Sequence, residues 1–352
     1  MKHILLAAGG PQGMLLLGPL YAALKESGSF TLSAAVSEPP QPGFSESFGL
    51  SGPDFRVFDC GSPAVLSRSI SAMDEALAVF RPDLVIVCGS DVPALAAALA
   101  AGEIGLPVVS AEAGLRSYDR LEADEMHRML IDTVALLHVV SEHSGEYNLI
   151  NEGVAEEDVL FAGNLRIDAL RAFMERGGAV SPAAAFGLTP KQYALVLPEA
   201  GGDELSDEAF FRVLSSLGDA SDALVLLPAG SALRARLEGM GRVRLADLPA
   251  YGELLALLRD ASMLLQAGAT FEAEATVMNV PCLTMQERTA RPSTLEIGTN
   301  VLVGLDAEET ASRMLEILQS KREESRRSKI PEKWDGAAAS RISAWLEEKR
   351  GA

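Results

Sequence analysis

The chain has 352 residues, which is too long for one ordinary hydrophobic core and, at roughly 150 residues per domain, predicts about two domains. Apolar residues make up 48% and charged residues 22% of the sequence, a balance that is typical of a globular protein. Thirty Lys and Arg against forty-nine Asp and Glu leave a formal net charge of −19. Nucleic acids and anionic membrane surfaces are therefore repelled, and neither is an expected partner.

The cysteines and the amino-terminal segment indicate the compartment. Cys60, Cys88 and Cys282 have no paired spacing, so we expect small buried side chains in a reducing environment rather than ligands of zinc or an iron–sulfur cluster. The apolar start of the chain breaks at a Gly-Gly-Pro sequence without a cleavage pattern, which predicts a first strand and not a signal peptide. No stretch reaches the roughly 18 uninterrupted apolar residues of a membrane span. We expect a cytoplasmic protein with no metal and no cofactor.

Short apolar runs alternate with helical patterns along the chain, a rhythm that is typical of βαβ units with a parallel sheet. Strands are predicted to begin near His3, Phe30, Asp83, Pro107, His138, Tyr193, Ala223, Val243, Met263 and Val280. The clearest helices are predicted at residues 16–26, 92–102, 124–136, 207–217 and 250–259. Because the alternation runs through the whole chain, it predicts two doubly wound α/β domains.

The boundary between these domains is expected near residue 166, after a predicted strand and before a glycine-rich segment at residues 177–190. The first domain would comprise residues 1–166 and a returning helix at 338–352, and the second domain residues 167–337. We expect Ile342 and Trp345 of the last helix to pack on the first domain.

Ligands of open α/β sheets bind outside the carboxyl ends of the strands, so the turns that follow strands are the places to search. The turn at Gly9-Gly10 precedes a helix and suits a close approach of phosphate to backbone N–H groups, although a plain tight turn is the simpler alternative. In the next such turn, Ser90 or Asp91 can cap the following helix. Glu112 comes directly after a strongly apolar strand, which makes it the best single catalytic candidate; a solvated pair with Arg116 is the alternative.

Two later turns have the composition of an anion site. The small residues Gly268-Ala269-Thr270 lead into a helix whose amino-terminal amides would suit a diphosphate. Glu274 lies one turn inside that helix, where it could reach ribose hydroxyls or simply favour the positive helix end. Arg288 and Arg291 flank the following turn, and a solvated surface is the simple alternative for both.

Ordered segments spread over nearly the whole chain carry a family resemblance. They lie at residues 81–89, 95–101, 112–116, 127–132, 163–170, 289–292, 298–304 and 334–336. Through them the sequence resembles the non-hydrolysing UDP-N-acetylglucosamine 2-epimerases. The resemblance implies a GT-B fold, in which two Rossmann-like doubly wound domains face each other across a cleft and the last helix packs on the first domain. We also expect a homodimer whose ligand is a UDP-sugar.

The resemblance implies a reaction and the residues for it. That family removes the C2 proton of UDP-GlcNAc while UDP leaves, then adds UDP back to the glycal with the opposite configuration at C2. The chemistry needs acid/base groups near C2 and a cationic, amide-rich cradle for the diphosphate. Matched position by position, the candidate residues are Glu112 (a family glutamate), Asp124 and Glu125 (a glutamate pair near the sugar), Glu274 (ribose) and Arg291 (the arginine of a Thr-Glu-Arg-Pro motif).

Several positions depart from the family pattern. Pro11 and Leu16 stand where the family has an arginine and a lysine for the phosphates, and Ser90 stands at its catalytic aspartate, with Asp91 one residue later. A basic loop that opens the second domain is Glu-Ala-Gly-Gly-Asp here, at residues 199–203, and the residue before Arg291 is alanine. Loss of one such group costs about 10²- to 10⁴-fold in rate.

Two functions therefore remain open at this stage. One is a divergent UDP-N-acetylhexosamine 2-epimerase with weak or lost activity that still binds UDP. The alternative is a catalytically inactive homologue with a binding or regulatory role. A glycosyltransferase is disfavoured, because the epimerase-like segments extend through the first domain.

Overall fold

The computed structural model describes residues 2–40, 43–50, 52, 54–61, 64–175, 181–198, 204–218, 220–268, 270–320 and 329–349. The chain divides into two units, of which unit 1 is Met1–Phe173 with Glu332–Ala352 and unit 2 is Met174–Pro331. The first division point lies within the helix Leu165–Glu175, whose buried early part belongs to unit 1.

In the described part of unit 1, seven parallel strands form one sheet in the order β3-β2-β1-β4-β5-β6-β7. The strands are β1 (His3–Ala8), β2 (Thr31–Val36), β3 (Phe55–Val57), β4 (Leu84–Cys88), β5 (Val108–Ala111), β6 (Leu137–Val140) and β7 (Val159–Phe161). The helices are α1 (Pro11–Ser27), α2 (Phe44–Phe48), α3 (Leu66–Phe80), α4 (Val92–Glu103), α5 (Ala123–Val134), α6 (His143–Asn151), α7 (Leu165–Glu175) and the C-terminal helix (Ala338–Lys349). A short 3-10 segment, Glu156–Asp158, precedes β7.

The central strands are apolar along almost their whole length because helices cover both faces of a parallel sheet. β1, β4 and β5 are buried throughout except for the first residues of β1 and β4. Helix α4 is rich in alanine and buried over most of its length. Its small side chains allow close packing, and a Cβ on Gly102 would lie only 2.7 Å from Cγ1 of Val134 in α5.

The strand order places three turns side by side at the carboxyl edge of unit 1. Ala8 at the end of β1 pairs with Cys88 at the end of β4, and Cys88 pairs with Ala111 at the end of β5. The turns that carry Gly9-Gly10, Ser90 and Glu112 are therefore neighbours.

The segment before the C-terminal helix is fixed to unit 1 by hydrogen bonds. The indole Nε1 of the buried Trp334 donates to the Ser141 carbonyl at 2.9 Å, and Lys333 Nζ donates to the Phe161 carbonyl at 2.9 Å. A Cβ on Gly163, whose φ is +96°, would lie 2.0 Å from the Lys333 carbonyl oxygen. Residues 163–170 and 334–336, which both carried the resemblance, thus pack against each other.

The C-terminal helix is held at its amino end by a carboxylate from α7. The Asp168 carboxylate accepts the amides of Ala338 at 3.2 Å and Ala339 at 2.8 Å, and so satisfies two of the unpaired donors of a helix start. Ile342 of this helix is buried, while Trp345 is half-buried beneath Lys349. The helix packs on α1.

Unit 2, within its described residues, is a six-stranded parallel sheet in the order β10-β9-β8-β11-β12-β13. Its strands are β8 (Tyr193–Leu197), β9 (Asp222–Leu226), β10 (Val243–Ala246), β11 (Met263–Gln266), β12 (Cys282–Thr284) and β13 (Asn300–Leu302). Its helices are α8 (Glu204–Leu217), α9 (Ala232–Leu237), α10 (Tyr251–Asp260), α11 (Glu272–Val277), α12 (Ser293–Glu296) and α13 (Ala307–Ser320), with a 3-10 segment at Pro182–Phe186. Gln266 pairs with Leu197 and with Thr284, so the turns after β8, β11 and β12 are neighbours.

The predicted parallel α/β architecture is confirmed, and the differences lie at the edges of the sheets. The strands β3 and β13 were not predicted; each has three residues and lies at a sheet edge, where partial exposure removes the continuous apolar run. The strand predicted before the boundary near residue 166 corresponds to β7, which ends at Phe161, and α7 already begins at Leu165. Helix α1 begins at Pro11 and not near residue 16, because proline suits the first helical position.

The three cysteines are buried free thiols. Among the described helices, none is long and apolar enough to cross a membrane.

Candidate functional site

Asp91 links two of the turns at the carboxyl edge of unit 1. Its Oδ1 accepts the Ala94 amide at 3.0 Å and caps α4, while its Oδ2 accepts the Gly10 amide at 2.7 Å. Burial raises the pKa of Asp91 above its usual value, although both amides act in the opposite direction. The Gly10 N–H, which the sequence suggested for a phosphate, is thus bound to a carboxylate of the protein itself.

His127, which the sequence analysis did not single out, lies against the same turns. Its Nδ1 is 2.9 Å from the carbonyl oxygen of Ser90, and the ring is half-exposed. A carbonyl can only accept, so Nδ1 carries the hydrogen and donates it. The available signal was the spacing from Asp124, since residues three apart on a helix are neighbours.

Glu112 and Asp124 complete this edge. Glu112 is half-buried and has a φ of +69°, which is uncommon for a residue other than glycine and concentrates at functional sites. Burial raises the pKa of the Cys88 thiol, and the nearby charge of Glu112 raises it further. Asp124 is exposed in the first turn of α5, and its charge raises the pKa of Asp91. The structure therefore brings Glu112, Asp91, Asp124 and His127 together.

Glu125 is committed to the protein's own backbone. The buried carboxylate accepts the amides of Ser117 at 2.9 Å and Tyr118 at 3.0 Å, and Arg128 Nη2 donates to it at 3.0 Å. Burial alone would raise the pKa of Glu125, but the Ser117 amide and the Arg128 guanidinium together hold it below its usual value. We assign Glu125 the role of holding the loop before α5.

Arg116 is also committed within unit 1. Its buried guanidinium donates from Nε and Nη2 to the Glu152 carboxylate at 2.9 and 2.7 Å, and from Nη1 to Asp132 Oδ2 at 2.8 Å. Burial alone would lower the pKa of Arg116, but Glu152 and Asp132 raise it above its usual value. These contacts give Arg116 a structural role and leave no guanidinium edge for a ligand.

The turn after β11 in unit 2 uses its amides internally. The Phe271 amide donates to Oε1 of the buried Gln266 at 3.0 Å, and the Thr270 amide donates to the Gly268 carbonyl at 2.8 Å. Ala269 lies outside the described residues. The two described amides that were expected to face a diphosphate therefore have acceptors within the turn.

Glu274 lies deeper in the unit than the sequence suggested. Its side chain is fully buried, and Oε1 accepts the Tyr251 hydroxyl at 3.1 Å. The Tyr251 ring stacks on Phe271 with 6.3 Å between centroids. The carboxylate is held close behind the turn at Gly268 and Thr270.

Arg291 has a carboxylate partner that the sequence analysis did not identify. Its Nη1 lies 3.6 Å from Oε1 of the buried Glu272, which also accepts Asn300 Nδ2 at 2.9 Å and the Thr289 hydroxyl at 3.2 Å. The Arg291 side chain remains 15% exposed. The charge that was expected for a diphosphate is thus partly compensated by Glu272. The loop at residues 199–203 lies outside the described residues.

Comparisons with known proteins identify the family. A family model described as UDP-N-acetylglucosamine 2-epimerase matches residues 45–347. The UDP-N-acetylglucosamine 2-epimerase of Methanococcus maripaludis is 26% identical over 298 residues, which cover 79% of this chain and 81% of the relative.

Solved structures have the same fold. The structure of S. aureus MnaA with UDP has a TM-score of 0.90 at 21% identity and covers 100% of this chain and 97% of that one. The Methanocaldococcus jannaschii UDP-GlcNAc 2-epimerase, in complex with UDP-GlcNAc and UDP, has a TM-score of 0.86 at 22% identity and covers 98% of this chain and 99% of that one. The predicted GT-B fold is confirmed. With the family model matching most of its length, the chain belongs to the UDP-N-acetylglucosamine 2-epimerase family.

Proposed function

We propose that the protein binds a UDP-N-acetylhexosamine such as UDP-GlcNAc and epimerises it at C2 by eliminating UDP and adding it back. The observation that carries the proposal is the family match over residues 45–347, which includes the acid/base candidates Glu112 and Asp124. The relatives named above, which are UDP-GlcNAc 2-epimerases, support the same substrate class.

The reaction needs two proton-transfer groups on opposite faces of C2. A base removes the C2 proton, the C1–O bond breaks, and its electron pair goes to the departing β-phosphate oxygen of UDP. An acid then returns a proton to the other face of C2 as that oxygen bonds to C1 again. Glu112 and Asp124 are candidates for this pair. Each oxygen of Asp91 accepts a backbone amide, so we assign Asp91 to holding the two turns together.

In unit 2, we assign Glu274 to the ribose hydroxyls and Arg291 to the diphosphate. The amides of Thr270 and Phe271 donate within their own turn, so we assign them no part in binding the diphosphate. Charge at the diphosphate is weak, because Leu16 is a buried apolar residue where the family has a lysine, and Glu272 partly neutralises Arg291. UDP binding is retained while its departure is poorly stabilised. We expect turnover well below the median of about 10 s⁻¹ for enzymes.

The proposal is tested in heavy water with purified protein and UDP-GlcNAc, with deuterium at C2 followed by NMR and UDP-ManNAc by chromatography. We expect slow appearance of both, loss of both in Glu112→Gln, and no change in Glu103→Gln. Glu103 is an exposed residue at the far end of α4 and serves as the matched control.

Calorimetric titration with UDP measures binding separately. Absence of UDP and UDP-GlcNAc binding at millimolar concentration would contradict the whole proposal. Turnover near the median of about 10 s⁻¹ would contradict only the importance of the missing cations.

We further propose that the protein is a cytoplasmic homodimer. The expectation comes from the family resemblance, and light scattering should give a solution mass twice that of the 37.2 kDa chain. A mass equal to that of one chain would contradict it.

A further inference from the structure

We propose that His127, in place of Asp124, is the proton-transfer residue that pairs with Glu112 at C2, acting through Nε2; this assignment rests on the proposed function. The ring lies at the carboxyl edge of unit 1, hydrogen-bonded to the turn that carries Ser90. Ser90 stands at the position of the family's catalytic aspartate and is not a base at neutral pH, so this edge needs a different one.

The hydrogen bond to Ser90 fixes both the orientation and the tautomer of the ring. Because Nδ1 donates to a carbonyl at 2.9 Å, neutral His127 has its lone pair on Nε2, on the opposite side of the ring. In the part of the chain that the structure describes, the ring makes no other hydrogen bond. A half-exposed imidazole with Nδ1 held and Nε2 available is the arrangement of a general base.

Two carboxylates lie near the His127 ring. Asp124 lies one turn earlier on α5, and Asp91 interacts with His127 from the amino end of α4. Neither carboxylate is hydrogen-bonded to the ring, whose one hydrogen bond in the described part of the chain is the contact with Ser90.

The other three histidines of the sequence lie where they cannot act as this base. His138 is buried, with Nε2 at 2.9 Å from the Asp132 carbonyl. His143 contacts Glu332 at 3.0 Å and packs on the Phe161 ring. His3 lies at the amino end of β1, on the opposite edge of the sheet, where Nε2 contacts Ser33.

The proton balance is simple. His127 Nε2 takes the C2 proton as the C1–O electron pair leaves with UDP, which produces the glycal and an imidazolium ion. Glu112, in its protonated form, gives a proton to the other face of C2 as UDP adds to C1. Exchange with water then returns both groups to their starting states, so no other reactant is consumed.

The decisive variant is His127→Asn, because the asparagine amide can replace Nδ1–H as donor to the Ser90 carbonyl but has no basic nitrogen. We expect C2 deuterium incorporation to fall by about 10²-fold or more, the usual contribution of one general base. The melting temperature and the UDP dissociation constant should stay close to those of the wild type. His3→Asn is the matched control and should exchange at the wild-type rate.

A second variant distinguishes loss of the base from a folding defect. In His127→Ala, added imidazole should restore part of the C2 exchange, which a purely structural role for the ring would not produce. Wild-type exchange in His127→Asn, or no rescue of folded His127→Ala, overturns the assignment. If the wild type binds UDP but exchanges no C2 hydrogen, the assignment of His127 is wrong while the nucleotide site is retained. If the wild type binds no UDP, the proposed function itself is wrong.

Discussion

Replacing Gly9 with alanine should break the link between the first two turns of unit 1. The φ of Gly9 lies outside the left-handed region, so the backbone itself accepts alanine there. The obstruction is Asp91, whose Oδ2 would lie 1.9 Å from the new Cβ. At Gly10 the nearest atom, the same Oδ2, is 3.9 Å away, which is an ordinary contact.

The cost follows from the hydrogen bonds that a displaced Asp91 would lose. Loss of the cap on Ala94 costs about 1 kcal/mol, and a Gly10 amide left without an acceptor costs about 1–3 kcal/mol. Gly9→Ala should therefore cost about 2–4 kcal/mol, and Gly10→Ala about 1 kcal/mol or less, since alanine is only a poorer cap residue.

Scanning calorimetry and a double-mutant cycle measure these effects. For a unit of this size, Gly9→Ala should lower the Tm of the unit 1 transition by about 5–15 °C. Asp91→Ala alone should cost a similar amount, and adding Gly9→Ala to it should cost little more, because the obstruction is gone. Additive costs in the double variant, or equal effects of Gly9→Ala and Gly10→Ala, would refute the reasoning.

Three further variants test other buried charges. Arg116→Lys loses the two-pronged contact with Glu152 and should destabilise by about 3–5 kcal/mol in denaturation while UDP affinity, measured by calorimetry, stays unchanged. Burial raises the pKa of Asp168 from 3.8 to about 6, so between these pH values the folded state holds a proton that the unfolded state releases. The resulting contribution to stability, about 3 kcal/mol, is present below pH 4 and is lost as the pH rises through about 6. The Tm difference between wild type and Asp168→Asn should therefore change across that window. Glu272→Gln removes the negative partner of Arg291 and should tighten UDP binding about fivefold, whereas unchanged or weaker binding would argue against Arg291 as a diphosphate ligand.

The interior of both sheets could be predicted from the sequence because buried parallel strands leave a direct record in apolar runs. Strands β1 and β4 are such cases, since every position of each after the first is buried and apolar. The edge strand β3 leaves no such record, because its three residues are half-exposed or exposed. The strands that could not be predicted are therefore the exposed ones at the sheet edges, wherever they lie along the chain.

For the candidate site, the positions of the charged residues could be predicted from the sequence, but their hydrogen-bond partners could not. The rule that ligands bind at the carboxyl ends of strands led to Glu112 and Asp124, which the structure places at the same edge of unit 1. The rule could not say which charged groups were already bound, because the partners are distant in sequence. Arg116 finds Glu152 thirty-six residues later, and His127 meets Ser90 thirty-seven residues earlier.

The paired arginines explain why departure of UDP should limit the rate of this protein. Arg116, Arg128 and Arg291 each lie against a buried carboxylate, so their charges are largely used within the protein. A departing diphosphate develops negative charge on its bridging oxygen, and a positive charge speeds that step only where it binds this oxygen more tightly in the transition state than in the bound substrate. The C2 proton is not acidic while the C1–O bond is intact, so His127 can remove it only as UDP departs. Hydrogen exchange at C2 and cleavage of the bond to UDP should therefore slow together.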